Sequence, residues 1–154
     1  MVGALLAIFL FVQDGHKQAE SGTFLLHQSA MRGETPAVEM LLNLGADVNG
    51  ADQHRRTPLH DACLKGRLDT VKLLLDRGAK IGALDENKAT PLHDAALGGS
   101  AKVIELLLER KADIAVYDSK GLTPLDYATK MERSEAIRAL QSALKQSGKG
   151  ETTK

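Results

Sequence analysis

The sequence predicts an all-α solenoid of stacked helix-turn-helix units. Three observations lead to this fold class. The triplet Thr-Pro-Leu recurs at residues 57–59, 90–92 and 123–125, a spacing of 33 residues. The same spacing aligns small residues and glycines, and it aligns an apolar stripe later in each unit. A fixed period of this length is typical of repeat proteins, in which each unit buries its apolar face by stacking on a neighbour.

A threonine followed by a proline predicts the start of the first helix in each unit. The three pairs are Thr57-Pro58, Thr90-Pro91 and Thr123-Pro124. The threonine oxygen can cap the free backbone N–H groups of a starting helix. Proline is pre-set to the helical φ and lacks an N–H that would be unpaired there. Gly66 and Gly99 are predicted to end two of these helices in a left-handed cap, and the stripe Val71, Leu74, Leu75 predicts the second helix of its unit.

These motifs resemble the ankyrin repeat. The resemblance rests on two motifs, TPLHDAC at 57–63 and TPLHDAA at 90–96. Each motif is followed by Gly and later by a [VI]-x-x-L-L stripe. The resemblance covers about residues 23–145 and implies extended, hairpin-like loops between the units. We predict repeats at 23–51, 52–84, 85–117 and 118–147, then a disordered tail at 148–154. The outer repeats are atypical, with Phe24-Leu25 replacing Thr-Pro and Glu132 replacing Gly, as expected of units with one solvated side.

Residues 1–22 comprise an apolar segment, Val2 to Val12, and a polar linker. The apolar run is shorter than the ~20 residues that a membrane-spanning helix needs. It can be an inner helix that caps the array through Leu5, Ile8 and Phe9, or a secretory signal with small residues around Ala19-Glu20-Ser21. The remnant of a truncated repeat is a third interpretation.

The composition argues against some classes of function and favours a reducing compartment. Twenty basic and twenty acidic side chains give a formal net charge of zero, which argues against a general binder of nucleic acid or acidic membranes. The single cysteine, Cys63, cannot form an internal disulfide, so a reducing compartment is expected. We therefore expect a cytoplasmic or nuclear protein, with secretion as the alternative if the N-terminus is a signal.

Candidate catalytic and metal-binding residues are better explained as structural. His27, His60 and His93 occupy equivalent slots on helices that pack ~8–10 Å apart, too far to share a zinc ion with ligands at ~2 Å. The resemblance implies that this histidine ties adjacent repeats through hydrogen bonds to the backbone. Cys63 lies three residues after His60 but fills the slot of Ala96, so we interpret it as a packing residue. No phosphate loop, HExxH motif or nucleophile elbow is present in the sequence, and we expect no catalysis, cofactor or metal.

Positions that vary while the framework repeats are candidates for binding a partner protein. In the loops they are Gln53, His54, Arg56, Glu86, Asn87, Ala89, Ser119 and Lys120. On the first helices they are Met31, Arg32, Leu64, Lys65, Leu97 and Gly98. Met31, Leu64 and Leu97 are equivalent and form an apolar row, and exposed apolar rows with a polar rim mark binding sites. Arg56 and Lys65 are predicted to form a charged rim that favours an acidic partner.

The leading hypothesis is a monomeric adaptor or scaffold that binds its partner on the concave face that the resemblance implies. The alternatives are a fragment or subunit of a larger enzyme or membrane-anchored ankyrin protein, or a secreted effector. The resemblance also implies that Asn49 matches the position where ankyrin repeats can carry a hydroxylated asparagine.

Overall fold

The computed structural model describes residues 17–147, which form eight α-helices and no β-strand. The helices are α1 Lys17–Arg32, α2 Thr35–Asn43, α3 Pro58–Leu64, α4 Leu68–Asp76, α5 Pro91–Gly98, α6 Ala101–Glu109, α7 Pro124–Lys130 and α8 Ser134–Ser147. Within this range, no helix is both long and apolar enough to cross a bilayer.

The helices stack as the repeat predicts. The first helices α1, α3, α5 and α7 pack side by side, and each also packs against the second helix of its own unit. The second helices contact one another in the same order and form the other layer. The core lies between the layers and includes Leu59, Leu92 and Leu107, which are fully buried or nearly so. The all-α solenoid is confirmed.

Small residues let the first helices approach closely. Ala62, Ala95 and Ala128 are equivalent positions on α3, α5 and α7, and all are fully buried. At Gly98 the approach is so close that a Cβ atom would lie 2.2 Å from the carbonyl oxygen of Leu64. Only glycine fits this position without a backbone shift.

The turns inside the units share one left-handed residue. Gly33, Gly66 and Gly99 have φ angles of 78°, 65° and 85°. Glu132 occupies the fourth such slot and adopts a φ of 54° despite its side chain. The predicted glycine caps are confirmed, and the last repeat keeps the turn at the cost of a strained residue.

Hairpin-like loops connect the units and contact one another. In the loop that starts at Asp85, the Asp85 carboxylate accepts hydrogen bonds from the backbone N–H groups of Asn87 and Ala89, both at 2.8 Å. Two backbone hydrogen bonds join successive loops. The Glu86 N–H donates to the His54 carbonyl at 3.0 Å, and the Ser119 N–H donates to the Asn87 carbonyl. The loops therefore stack in line with the helices.

The first unit departs from the predicted boundaries. Helix α1 begins at Lys17, so residues 17–22, predicted as part of a polar linker before a repeat starting at 23, are helical. Phe24-Leu25 stands where the other units have the Thr-Pro pair that starts a helix, so nothing forces the helix to begin there. The interpretations of residues 1–12 and the disordered tail at 148–154 lie outside the described residues.

Among the described residues, no other helix covers part of the apolar face of the first unit. Leu25 is 42% exposed, whereas the prolines in the same slot of all later units are buried. Leu41 is half-buried, whereas Leu74, Leu107 and Leu140 in its slot are fully buried. No described unit follows the last repeat, yet Leu140 is buried there. The side chains in this slot are therefore covered by the preceding unit.

Candidate functional site

A groove of about 990 Å³ lies between helix α1 and the loop that joins α2 to α3. Its lining residues are Thr23, Phe24, His27, Gln28, Met31, Ala51, Asp52, Gln53, Arg56 and Asp61. Phe24 is 62% exposed on the α1 side and Met31 is half-buried beside it. The groove thus has apolar walls and, in His27, Arg56 and Asp61, ionisable groups at its base.

The predicted apolar row continues this groove along the first helices, and we call it the helix row. Met31, which lines the groove, is equivalent to Leu64 on α3 and Leu97 next along on α5. All three side chains are partly exposed. The three equivalent side chains are therefore neither core residues nor fully exposed ones.

A second apolar row was missed in the sequence, and we call it the hairpin row. It consists of Ala51, Leu84 and Tyr117, each directly before the aspartate that starts a loop. Ala51 lines the groove, Leu84 is 44% exposed and Tyr117 is 62% exposed. By repeat equivalence, Leu84 and Tyr117 extend the groove wall that Ala51 begins. Their spacing of 33 residues, with apolar side chains next to a polar turn, was the signal that could have revealed them.

The predicted loop contacts lie at the exposed tips. Gln53, His54, Glu86, Asn87, Ser119 and Lys120 are all exposed. His54 Nδ1 lies 3.1 Å from Glu86 Oε1, so the tips of two successive loops contact each other. On the helix side, Lys65 is exposed, and Arg32 lies 3.8 Å from Glu34.

Arg56 is not the free rim charge that the sequence suggested. Its side chain is only 21% exposed, and its Nη2 atom lies 3.3 Å from Asp61 Oδ1 and 3.2 Å from Asp94 Oδ2. Burial alone lowers the pKa of Arg56, but the charges of Asp94 and Asp61 raise it overall, so the guanidinium stays charged. It joins the second and third repeats through these two ion pairs.

Two further loop and helix candidates are also structural. Ala89 is 3% exposed, and its carbonyl oxygen accepts a hydrogen bond from His60. Gly98 faces the Leu64 carbonyl across the helix interface. Both vary between repeats because of local packing, so their variation does not indicate contact with a partner.

Among the carboxyl groups of the described residues, Asp94 has the most strongly shifted pKa. Burial raises its pKa, the Arg56 charge lowers it, and the Asp85 and Asp61 charges raise it further, to about 7. Its Oδ2 atom makes no hydrogen bond within the described chain, although Arg56 Nη2 is close enough for an ion pair. Asp94 is therefore a buried acid with one ion-pair partner, Arg56, and two like charges nearby, Asp85 and Asp61.

His27 forms a histidine–aspartate pair between repeats that the sequence did not predict. Its Nδ1 atom lies 2.6 Å from Asp61 Oδ2, and its Nε2 donates to the Gly50 carbonyl at 2.9 Å. Burial lowers the pKa of His27, but the hydrogen bonds to Asp61 and Gly50 and the charges of Asp61 and Asp52 raise it overall. With an acceptor at each ring nitrogen, the imidazolium form is favoured.

His60 and His93 have the structural role that the resemblance implied. His60 Nε2 donates to the Ala89 carbonyl in the next loop, and His93 Nε2 donates to the Leu122 carbonyl at 3.1 Å. The Nδ1 atom of His60 accepts from the N–H of Thr57 at 3.0 Å. Burial lowers the pKa of both rings despite these backbone hydrogen bonds, which favours the neutral form.

The threonines act in capping boxes of two kinds. The Thr123 oxygen accepts the Asp126 N–H at 3.2 Å, as predicted for a helix cap. At Thr57 and Thr90 the hydroxyl instead donates to Nδ1 of the histidine that follows three residues later. Asp126 replaces this histidine in the last repeat and accepts hydrogen bonds from the Thr123 N–H and hydroxyl groups. Unlike the histidine, its carboxylate has no N–H that could donate to the backbone of another loop.

The thiol and the histidines do not form a reactive site. Cys63 is fully buried, and burial raises its pKa well above the usual range, so the thiol stays protonated. Both nitrogens of His60 are engaged elsewhere. Across residues 17–147, no group of three or more His, Cys, Asp or Glu side chains is placed to hold a metal ion.

Comparison with known proteins agrees with the geometry. The family model described as "Ankyrin repeats (3 copies)" matches residues 2–85, and the one described as "Ankyrin repeats (many copies)" matches residues 75–128. No curated protein matches the chain. Ankyrin repeats are generally protein–protein interaction modules. Since the first model alone covers more than half of the sequence, the chain belongs to the ankyrin-repeat family.

Proposed function

We propose that this protein is an adaptor or scaffold that holds a partner protein in the groove between the helix row and the hairpin row, on the concave face of the array. One observation carries the proposal: Met31 and Ala51 line the groove, and the residues equivalent to them in the next two repeats are partly exposed at Leu64 and Leu97 and largely exposed at Leu84 and Tyr117. Exposed apolar strips with polar borders mark protein-binding sites.

The polar groups at the base of the groove support binding without catalysis. His27, Asp61 and Arg56 are paired with one another or with the backbone, and His60 and His93 tie repeats together. A general base or nucleophile must reach a substrate atom, and these atoms are committed to internal partners. We therefore propose a non-enzymatic role for the array.

The test removes the helix row while keeping the fold. Leu64→Ser combined with Leu97→Ser is expected to abolish capture of partner proteins from a cell extract, because truncating an apolar anchor commonly costs more than about 1 kcal/mol. A thermal melt verifies that the variant stays folded. The matched control reverses two exposed charges on the second helices, Lys72→Glu with Glu105→Lys, and should capture like the parent. Lost capture by the control, together with full capture by the leucine variant, would place the site elsewhere.

A second candidate function is a module of a larger ankyrin protein. Leu25, which is 42% exposed where the equivalent prolines of later units are buried, is the observation that supports it. The secreted-effector alternative depends on residues outside the described range. Intact-mass measurement of the protein isolated from its source tests both candidates. A mass above that of this chain favours the larger protein, and loss of an N-terminal segment favours the effector.

A further inference from the structure

We propose that the N-terminal end of the described array is the docking surface for the apolar segment 2–10 of the same chain, packed there in the register of a second helix from a preceding unit. We call this surface the end face, and its residues are Leu25, Leu41 and Leu44. The proposal does not depend on the groove. It competes with the second candidate function, because it gives the end face an occupant within the chain.

The end face carries leucines in slots that later units fill differently or bury. Leu25 is exposed and Leu41 is half-buried, whereas the later residues in their slots are buried. Leu44 is 45% exposed and stands in the slot that holds Arg77 and Arg110 in the next two units. The first unit therefore presents apolar side chains towards the side on which a preceding unit would stack.

The opposite end of the described array is polar. Thr129 and Gln141 are exposed in the last repeat, where the second unit has the fully buried Cys63 and the half-buried Leu75. The last repeat thus ends with side chains that tolerate water, as expected of a terminal unit. The contrast between the two ends indicates that the end face has an occupant.

The repeat spacing places the segment 2–10 in register with the second helices. It aligns with α2 at one period and with α4 at two periods. Leu5 and Ile8 then fall in the slots of Val71 and Leu74, which are fully buried in the second unit. The family match also begins at residue 2. The segment therefore carries the apolar stripe that a stacked second helix needs.

Contacts between successive second helices show which residues would meet Leu44. Arg110 Nη1 lies 2.9 Å from Asp76 Oδ1, 34 positions earlier in the chain. The equivalent Arg77 donates to Asn43 Oδ1 at 2.9 Å, again 34 positions earlier, and its Nη2 lies 2.6 Å from the Oε1 atom 38 positions earlier, in Glu39. The arginine slot therefore contacts the residues 34 and 38 positions before it.

The same contact would be apolar at the end face. Leu44 occupies the arginine slot, and the residues 34 and 38 positions before it are Leu10 and Leu6. An arginine facing two leucines would lose water without gaining a partner, whereas a third leucine buries apolar area. In the last unit this slot holds Ala143, so loss of the arginine does not by itself call for a leucine. The paired exchange points to contact between the segment and the end face, and a separate protein as occupant would not explain it.

The chain between the segment and α1 is long enough for this placement. Six residues, 11–16, precede Lys17 at the start of α1, and six extended residues span about 20 Å. Six residues also lead from Asn43 at the end of α2 to Gly50, whose carbonyl accepts a hydrogen bond from His27 on α1. A spacer of this length therefore already connects a second helix to the neighbourhood of a first helix in this chain.

The first experiment compares Ile8→Asp with Gly3→Asp in the full chain. A carboxylate in the buried slot of Ile8 should speed amide hydrogen exchange in residues 4–10 by about ten-fold or more and lower the midpoint of urea unfolding, because it prevents docking. Gly3 occupies the slot of the exposed Asp69, so the same charge there should leave both measurements near those of the parent. Equal behaviour of the two variants would overturn the proposal.

The second experiment rebuilds the inner ion pair at the end face with Leu10→Asp and Leu44→Arg, alone and combined. Each single change should speed exchange in residues 4–10, and the combined variant should exchange more slowly than additivity predicts, by about two-fold or more. The control combines Leu44→Arg with Phe11→Asp, which moves the carboxylate to the neighbouring slot, and should be additive. Additive behaviour of the Leu10 pair would refute the register.

Light scattering separates the chain's own segment from that of a second copy. A monomeric mass together with slow exchange in residues 4–10 of the parent supports the proposal. A dimer that dissociates in the Ile8→Asp variant would mean that the segment docks on another copy, and docking within one chain would be wrong. Exchange of residues 4–10 at the unprotected rate in the parent would also overturn the proposal.

Discussion

Replacing Asp94 by Asn should stabilise the array relative to the parent, and this gain in stability should be larger at alkaline pH than at acidic pH. The folded protein holds the Asp94 proton up to a pKa of about 7, whereas the ordinary value is 3.8. Between these values the folded state binds more protons than the unfolded state, so stability falls as the pH rises. Asn resembles the neutral acid and removes this dependence.

The magnitude follows from the displacement of the pKa. A shift from 3.8 to about 7 corresponds to about 4 kcal/mol in total, at 1.36 kcal/mol per unit. About two of these three pKa units lie between pH 5 and pH 8, so the stability of the Asn variant relative to the parent should rise by about 2–3 kcal/mol across this interval. The lost attraction to Arg56 is already contained in this figure, because that charge contributes to the pKa.

Urea unfolding of parent and Asp94→Asn at pH 5 and pH 8 measures the effect. The control is Glu109→Gln, which removes an exposed carboxylate that has no ion pair within the described chain. Its difference from the parent should be nearly the same at both pH values. A difference between Asp94→Asn and the parent that does not change with pH would refute the buried-acid explanation.

Further predictions concern the framework and are tested by denaturant melts. Glu132→Gly should stabilise the last repeat by about 1 kcal/mol, because it relieves a left-handed φ of 54°; an unchanged melt would mean that the turn is not strained. Leu107→Ala should cost ~2–5 kcal/mol by leaving a cavity at a fully buried position, and Thr90→Ala about 1 kcal/mol through a weakened cap. If Leu107→Ala melts like the parent, the repeat register is wrong. Gly98→Ala should cost about 1–3 kcal/mol, because its Cβ would meet the Leu64 carbonyl at 2.2 Å. A neutral effect there would show that α3 and α5 can separate freely.

Much of the fold could be predicted because the repeat encodes it locally. The Thr-Pro pairs, the left-handed glycines and the apolar stripes each specify backbone geometry through their own residues, so a single sequence suffices to place α3 to α8. The start of α1 could not be predicted in the same way. Phe24-Leu25 lacks the Thr-Pro signal, and α1 extends past this position towards the N-terminus, to Lys17.

The candidate site was predicted in part. The helix row follows from equivalence between repeats, and its partial exposure agrees with that expectation. Leu84 and Tyr117 obey the same period but were overlooked beside the polar turn residues. Arg56 was assigned to the rim because it varies between repeats, and variation alone does not distinguish a free charge from a locally paired one.

The sequence by itself determined the repeat, the helix pairs, the capping residues and the small residues between helices, because each depends on interactions within one unit or on its exact periodic recurrence. Only the tertiary structure decided which charges are free and which are paired. His27 meets Asp61 across 34 positions, and Arg56 meets Asp94 in the next repeat. Such pairs depend on the distance and rotation between stacked units, and burial between those units sets the protonation of Asp94.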